Sequence, residues 1–82
     1  MQNGVEIMNP IIEKQVGLNI RTLRESKGFT QDILAAKMQL LGCDITRSAL
    51  AKIECGQRHL YPDEIILIKD ILGTTFDEIL KI

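Results

Sequence analysis

The sequence predicts an all-α domain of five helices, on three observations. Apolar residues recur at spacings of three and four, the period of a helix, and no stretch alternates long enough to make a convincing strand. Threonine or proline opens the second to the fifth helical stretch, and glycine closes the first to the fourth. Nothing repeats, and no segment is of low complexity. At 82 residues the chain is expected to make one domain, small enough that its apolar content must be used efficiently.

Pro10 and the polar residues before it predict a flexible lead-in over residues 1–12, with the domain spanning 13–82. Either Met1 or Met8 serves as the start on this reading. From Glu13 to Lys27, Val16, Ile20, Leu23 and Arg24 share one helical face, and Lys27 and Gly28 form the stop. Thr30 is the N-cap of a second helix, with Asp32 in its first turn against the positive end of the helix dipole. That helix carries Leu34, Ala35, Met38 and Leu41 inward and ends at Gly42. Thr46 caps a third, short helix with Leu50 and Ile53 inward and Gly56 just past its end. Pro62 sits at the first position of a fourth, with Asp63 and Glu64 in its first turn, Ile65, Ile68, Ile71 and Leu72 inward, and Gly73 as the stop. Thr75 caps a last helix bearing Phe76, Ile79 and Leu80. The apolar stripes are core, not a cofactor box.

Composition narrows the function. The formal net charge of −1 hides a polarity. Residues 13–60 hold eight Lys or Arg against five acids, a balance of +3, whereas residues 61–82 hold two against five, a balance of −3, and Glu6 supplies the rest. No run approaches the roughly 20 apolar residues of a membrane span, and the N-terminal residues lack the basic and apolar regions of a secretory signal. A cytoplasmic protein is expected. Cys43 and Cys55 have neither a Cys-x-x-Cys spacing nor more than one histidine beside them, so they predict reduced thiols and no metal site. Cys55 and His59 are four apart, but Gly56 breaks the helix between them, and no third group orients a nucleophile. With no Gly-rich phosphate loop and no cluster of titratable residues, neither an enzyme nor a cofactor is expected.

Helices two and three, joined by a short turn, have the form of a helix-turn-helix, whose second helix enters the DNA major groove. The segments "VGLNIRTLRESKGFTQ", "ILAAKM", "SALAKIECGQR" and "DILGTTFDEIL", in that order, carry the chain further. From Val16 to Leu80 it resembles the lambda repressor/Cro-like (XRE) family of helix-turn-helix regulators. The resemblance implies a five-helix DNA-binding domain whose third helix presents Arg47, Ser48, Ala51 and Lys52 to base edges. The chemistry suits them: Arg and Lys donate to guanine O6 and N7, Ser serves either role, and an Ala methyl touches thymine. It implies phosphate contact from the start of helix two, Thr30 and Gln31, and from the polar loop Gln57, Arg58 and His59. It also implies an ion pair between Arg24 and Glu54 that sets the angle of helix one to helix three. Ala35 is small where two helices must approach.

Two departures from the family pattern matter. The distance from "LAAK" to "KIE" is longer by about one helical turn, which assigns the residues around "MQLLG" to a longer helix two. Cys55 stands where relatives often carry a polar residue that helps hold phosphate. The expected partner is double-stranded DNA, as a palindromic operator bound by a homodimer, with the chain acting as a sequence-specific transcriptional regulator, a repressor before an activator. Helix five and Ile82 are one source of a dimer contact, although a core role explains Phe76 and Leu80 equally well. The alternative is a protein-interaction module, such as an antitoxin or anti-repressor partner, on the same scaffold.

Overall fold

A computed structural model describes residues 9–82, which form α1 (Pro10–Ser26), α2 (Gln31–Leu40), α3 (Arg47–Glu54), α4 (Pro62–Leu72) and α5 (Phe76–Ile79). The order and number of helices are those expected, and there is no strand among the described residues. The choice of start and the first eight residues of the lead-in lie outside the described residues. Residues 10–12 are helical, against the expectation of a flexible segment. Asn9 Oδ1 accepts from the Ile11 and Ile12 amides at 3.0 and 3.3 Å, and Pro10 occupies the first helical position, where a missing N–H costs nothing.

The other caps are as read from the chain. Thr30, Thr46 and Thr75 accept from the amides of Ile33, Ala49 and Glu78, each near 3 Å. Every cap satisfies an N–H that the first helical turn would otherwise leave unpaired. Gly28 leaves α1 at φ 77°, a conformation that would strain any side chain.

The helices enclose one core. Ile20, Leu34, Met38, Leu50, Ile68 and Ile79 are fully buried, with Val16, Ala35, Ile45, Ile53, Leu60 and Leu72 around them. Burial of each large side chain contributes about 1.5–3 kcal/mol, and these contacts hold α3 between α1 and α2. Asn19 fastens the far end: its amide donates to the carbonyls of Ile79 and Lys81 at 2.9 and 2.7 Å, tying α5 to α1.

Some inward positions differ from expectation. Leu41, expected on the inward stripe of the second helix, is instead the C-cap of α2 and 57 % exposed, because the helix ends at Leu40 and the chain turns away at Gly42. Ile65 and Ile71 are only partly buried, and Phe76 and Leu80 flank the buried Ile79 while remaining nearly half exposed. The sharpest constraint is Gly17. A Cβ there would run into the backbone carbonyls of Ile53 and Glu54, so α1 and α3 touch backbone to backbone.

Candidate functional site

The framework is a buried polar network joining α1, α2 and α3. Arg24 Nε donates to Glu54 Oε2 at 2.7 Å, Nη2 donates to Oε1 at 2.9 Å, and Nη1 donates to the Phe29 carbonyl at 2.7 Å. Both side chains are almost wholly buried. The bond to Glu54 raises the Arg24 guanidinium above its usual pKa against the opposing effect of burial, so its charge is permanent. The expected ion pair is present with two-pronged geometry. Gln31 Nε2 also donates to Glu54 Oε1, at 2.9 Å, so its amide belongs to this network and closes α2 onto α3.

Outside this network is an open cleft of about 500 Å³ lined by Arg21, Arg24, Thr30, Gln31, Asp32 and Arg47. The capped N-terminus of α2 opens onto it, and Arg47, at the first position of α3, forms its far wall. Arg47 Nε lies 3.8 Å from Asp32 Oδ1, and both side chains are mostly exposed. Leu50, Ile53 and Glu54 hold one side of α3 in the core, while Arg47, Ser48, Ala51 and Lys52 fall on the opposite side. Arg47, Ser48 and Lys52 are exposed and Ala51 half-buried. Offsets of one, four and five residues from Arg47 put all four on one face of a helix.

The loop after α3 divides. Gln57 and His59 are exposed, with His59 Nδ1 3.7 Å from Glu13 and its ring edge-on to Tyr61. Arg58 points inward. Its two terminal nitrogens donate to the two oxygens of Glu64 at 3.0 and 3.1 Å, and Nη1 also donates to the His59 carbonyl. Glu64 is buried and accepts the Tyr61 amide as well, so it both receives Arg58 and caps α4. Bonding to Glu64 raises the Arg58 pKa. Among the residues expected at a phosphate, Arg58 is the one whose guanidinium already holds a carboxylate.

Sequence reasoning missed Lys14. Gly56 sits against its backbone, and the exposed Lys14 lines a groove with Leu18, Arg21, Glu54, Cys55 and Gln57, beside the end of α3. Only the contact between α1 and the α3 exit brings it there, and no local signal announces it. With Arg24 and Arg58 committed to carboxylates, the exposed cations nearest this face are Lys14, Arg21, Arg47 and Lys52. No acid of α4 or α5 lines the cleft or the groove.

Cys43 is partly buried and Cys55 exposed, and both are free thiols. Burial pushes the Cys43 thiol up, with Glu64 and Asp63 adding to the shift, which disfavours its reactive thiolate. Among the described residues no cluster of three or more His, Cys, Asp or Glu could hold a metal ion, and no helix is long and apolar enough to cross a membrane.

A family model described as helix-turn-helix matches residues 20–79. No curated protein and no solved structure matches the chain.

Proposed function

The chain belongs to the lambda repressor/Cro-like (XRE) family of helix-turn-helix proteins, and from that premise we propose that it reads a specific duplex sequence with α3 in the major groove. The family is one of DNA-binding transcription regulators and not of enzymes, so the protein is DNA-binding and of regulator type. In the finer reading, Arg47 and Lys52 donate to guanine edges, Ser48 bonds an adjacent base, and the Ala51 methyl packs on thymine. Thr30, Gln31, Gln57 and His59 meet the phosphates beside them, with the amides of the first turn of α2. Arg58 reaches a phosphate only by releasing Glu64, so it contributes least of these.

The observation that carries this reading is the division of α3. Its inner side is locked by Leu50, Ile53 and the Glu54 network, and its outer side holds Arg47, Ser48 and Lys52 with no buried partner. A face that is rigidly held yet exposed suits base reading, in which side chains must reach fixed atoms of the groove. The protein acts as a homodimer on a palindromic operator, with two α3 helices about one DNA turn, roughly 34 Å, apart. Occupying that site blocks polymerase, so the regulator is a cytoplasmic repressor.

The test is selection of bound duplexes from a random pool at two salt concentrations, with wild type and the Arg47→Ala/Lys52→Ala double variant. An enriched palindrome lost in the variant is the expected result. If neither protein enriches any sequence at low salt, base reading fails, and a protein-binding scaffold becomes the better account.

A further inference from the structure

The end of α2 remote from the cleft is apolar. Leu40 is 85 % exposed, Leu41 57 %, and Ile66 of α4 48 %. Leu41 is a ridge shared by two shallow grooves, one lined by Lys37, Leu40 and Ile71, the other by Gly42, Cys43, Asp63, Ile66 and Leu67. Single exposed leucines are ordinary, but adjoining aliphatic side chains with a polar rim mark an interaction surface. The rim here is polarised. Lys37 lies beside one groove, its ammonium 5.2 Å from the centre of the Phe29 ring, and Asp63 beside the other, and neither makes an ion pair among the described residues. The patch exists because α2 ends at Leu40, just past the buried Met38, and the turn at Gly42 leaves Leu40 and Leu41 outside the core.

We propose that this face joins two copies of the chain about a two-fold axis beside Leu41. A two-fold contact sets a surface against itself, so whatever stands at one end meets what stands at the other. The Leu41 ridge of each copy then enters a groove of the other, and Lys37 of each faces Asp63 of the other. The apolar residues of α5 fail the same criterion. Phe76 and Leu80 adjoin Asp77 and Glu78, and the cations beside them are already engaged: Lys81 is 3.3 Å from Glu78, and Lys69 lies over the Phe76 ring and 3.0 Å from Asp70. Apposed α5 helices would set acid against acid, which is unfavourable. Charge complementarity therefore selects the α2 end over α5, and a second copy as its occupant. None of Lys37, Leu40, Leu41, Asp63 or Ile66 lines the cleft or groove near α3, so the contact leaves that face open. The patch is small, and the dimer is of the weak class.

This inference rests on the homodimer proposed above and names its surface. Sedimentation equilibrium of the whole chain over a concentration series tests it, with circular dichroism to verify that each variant is folded. The exposure of Leu40 and Leu41 makes Leu40→Ser/Leu41→Ser mild for the fold. We expect a wild-type monomer–dimer equilibrium, a Kd at least about tenfold weaker in that double variant, and no change in Leu80→Ser. Lys37→Glu and Asp63→Lys should each weaken association, and the two together should restore it. A wild type that stays monomeric at every concentration overturns the dimer and its surface together. A dimer indifferent to Leu40→Ser/Leu41→Ser, whether or not Leu80→Ser dissolves it, overturns the surface alone.

Discussion

Two arginine–carboxylate pairs, each with its arginine on the same cleft, differ in almost every physical respect. Arg24 and Glu54 are buried, in contact at 2.7 Å, and supported by Gln31 and the Phe29 carbonyl. Arg47 and Asp32 are 64 % and 78 % exposed at the side chain and stand 3.8 Å apart. In the first pair, neither charge has water to turn to, so the geometry of α1, α2 and α3 is tied to it. In the second, water competes for both partners, and the guanidinium can exchange its carboxylate for another acceptor at little cost. The same chemistry thus serves as framework when buried and as a replaceable contact when exposed.

The largest effect should come from breaking the buried pair. Glu54→Ala leaves Arg24 charged without its carboxylate and strips Gln31 of its acceptor. Urea unfolding should show a loss of about 3–5 kcal/mol, the range for an orphaned buried charge. A loss below about 1 kcal/mol would mean that the network tolerates water and does not set the helix angles. Gly17→Ala tests the same junction without touching a charge. Its methyl meets the carbonyls of Ile53 and Glu54, so α1 must back away from α3, at a cost of about 1–3 kcal/mol by the same measurement.

That junction also shows what a sequence can and cannot reveal. Thr30, Thr46, Pro62, Thr75 and the glycines after four helices act through neighbours within a turn, so the helices were legible from local order alone. The face of α3 was legible for the same reason, since helical spacing groups Arg47, Ser48, Ala51 and Lys52. The joining of Arg24 to Glu54 was implied by resemblance and is present. The close approach at Gly17, the burial of Glu64 and the bond from Gln31 to Glu54 were not legible, because each depends on the packed fold or on residues distant along the chain. Gln31 reads as a phosphate-seeking amide alone until Glu54 is placed beside it and takes one of its two N–H groups, and Arg58 reads as a surface base until Glu64 is seen to be buried. Leu41 misleads in the opposite sense: its spacing is that of a core residue, but the helix ends before it.

On the exposed side, Arg47→Ala should leave unfolding unchanged within about 0.5 kcal/mol while weakening binding to the selected duplex. A good guanine contact is worth about 1–3 kcal/mol, or roughly 5- to 150-fold in Kd. Fluorescence anisotropy across a salt series separates the two ways of losing it. A loss confined to the selected sequence marks base reading. A loss shared by all duplexes, with the salt slope reduced by about 1, marks a phosphate contact instead.

The smallest and most informative change is Asp32→Asn. If Arg47 leaves Asp32 to meet DNA, the free protein holds a competitor for its own reading residue, and the carboxylate faces the phosphates as an added repulsion. Neutralising it should therefore tighten duplex binding, by less than about fivefold given the roughly 0.2–1 kcal/mol of an exposed pair, and should leave stability almost unmoved. If instead Asp32 keeps its hold on Nε while the terminal nitrogens reach guanine, the carboxylate steadies the guanidinium in its reading position. Asp32→Asn would then weaken the selected duplex relative to random ones. The sign of that change, read by competition between the two duplexes, decides whether the exposed pair is a contact to be broken on binding or one carried into the complex.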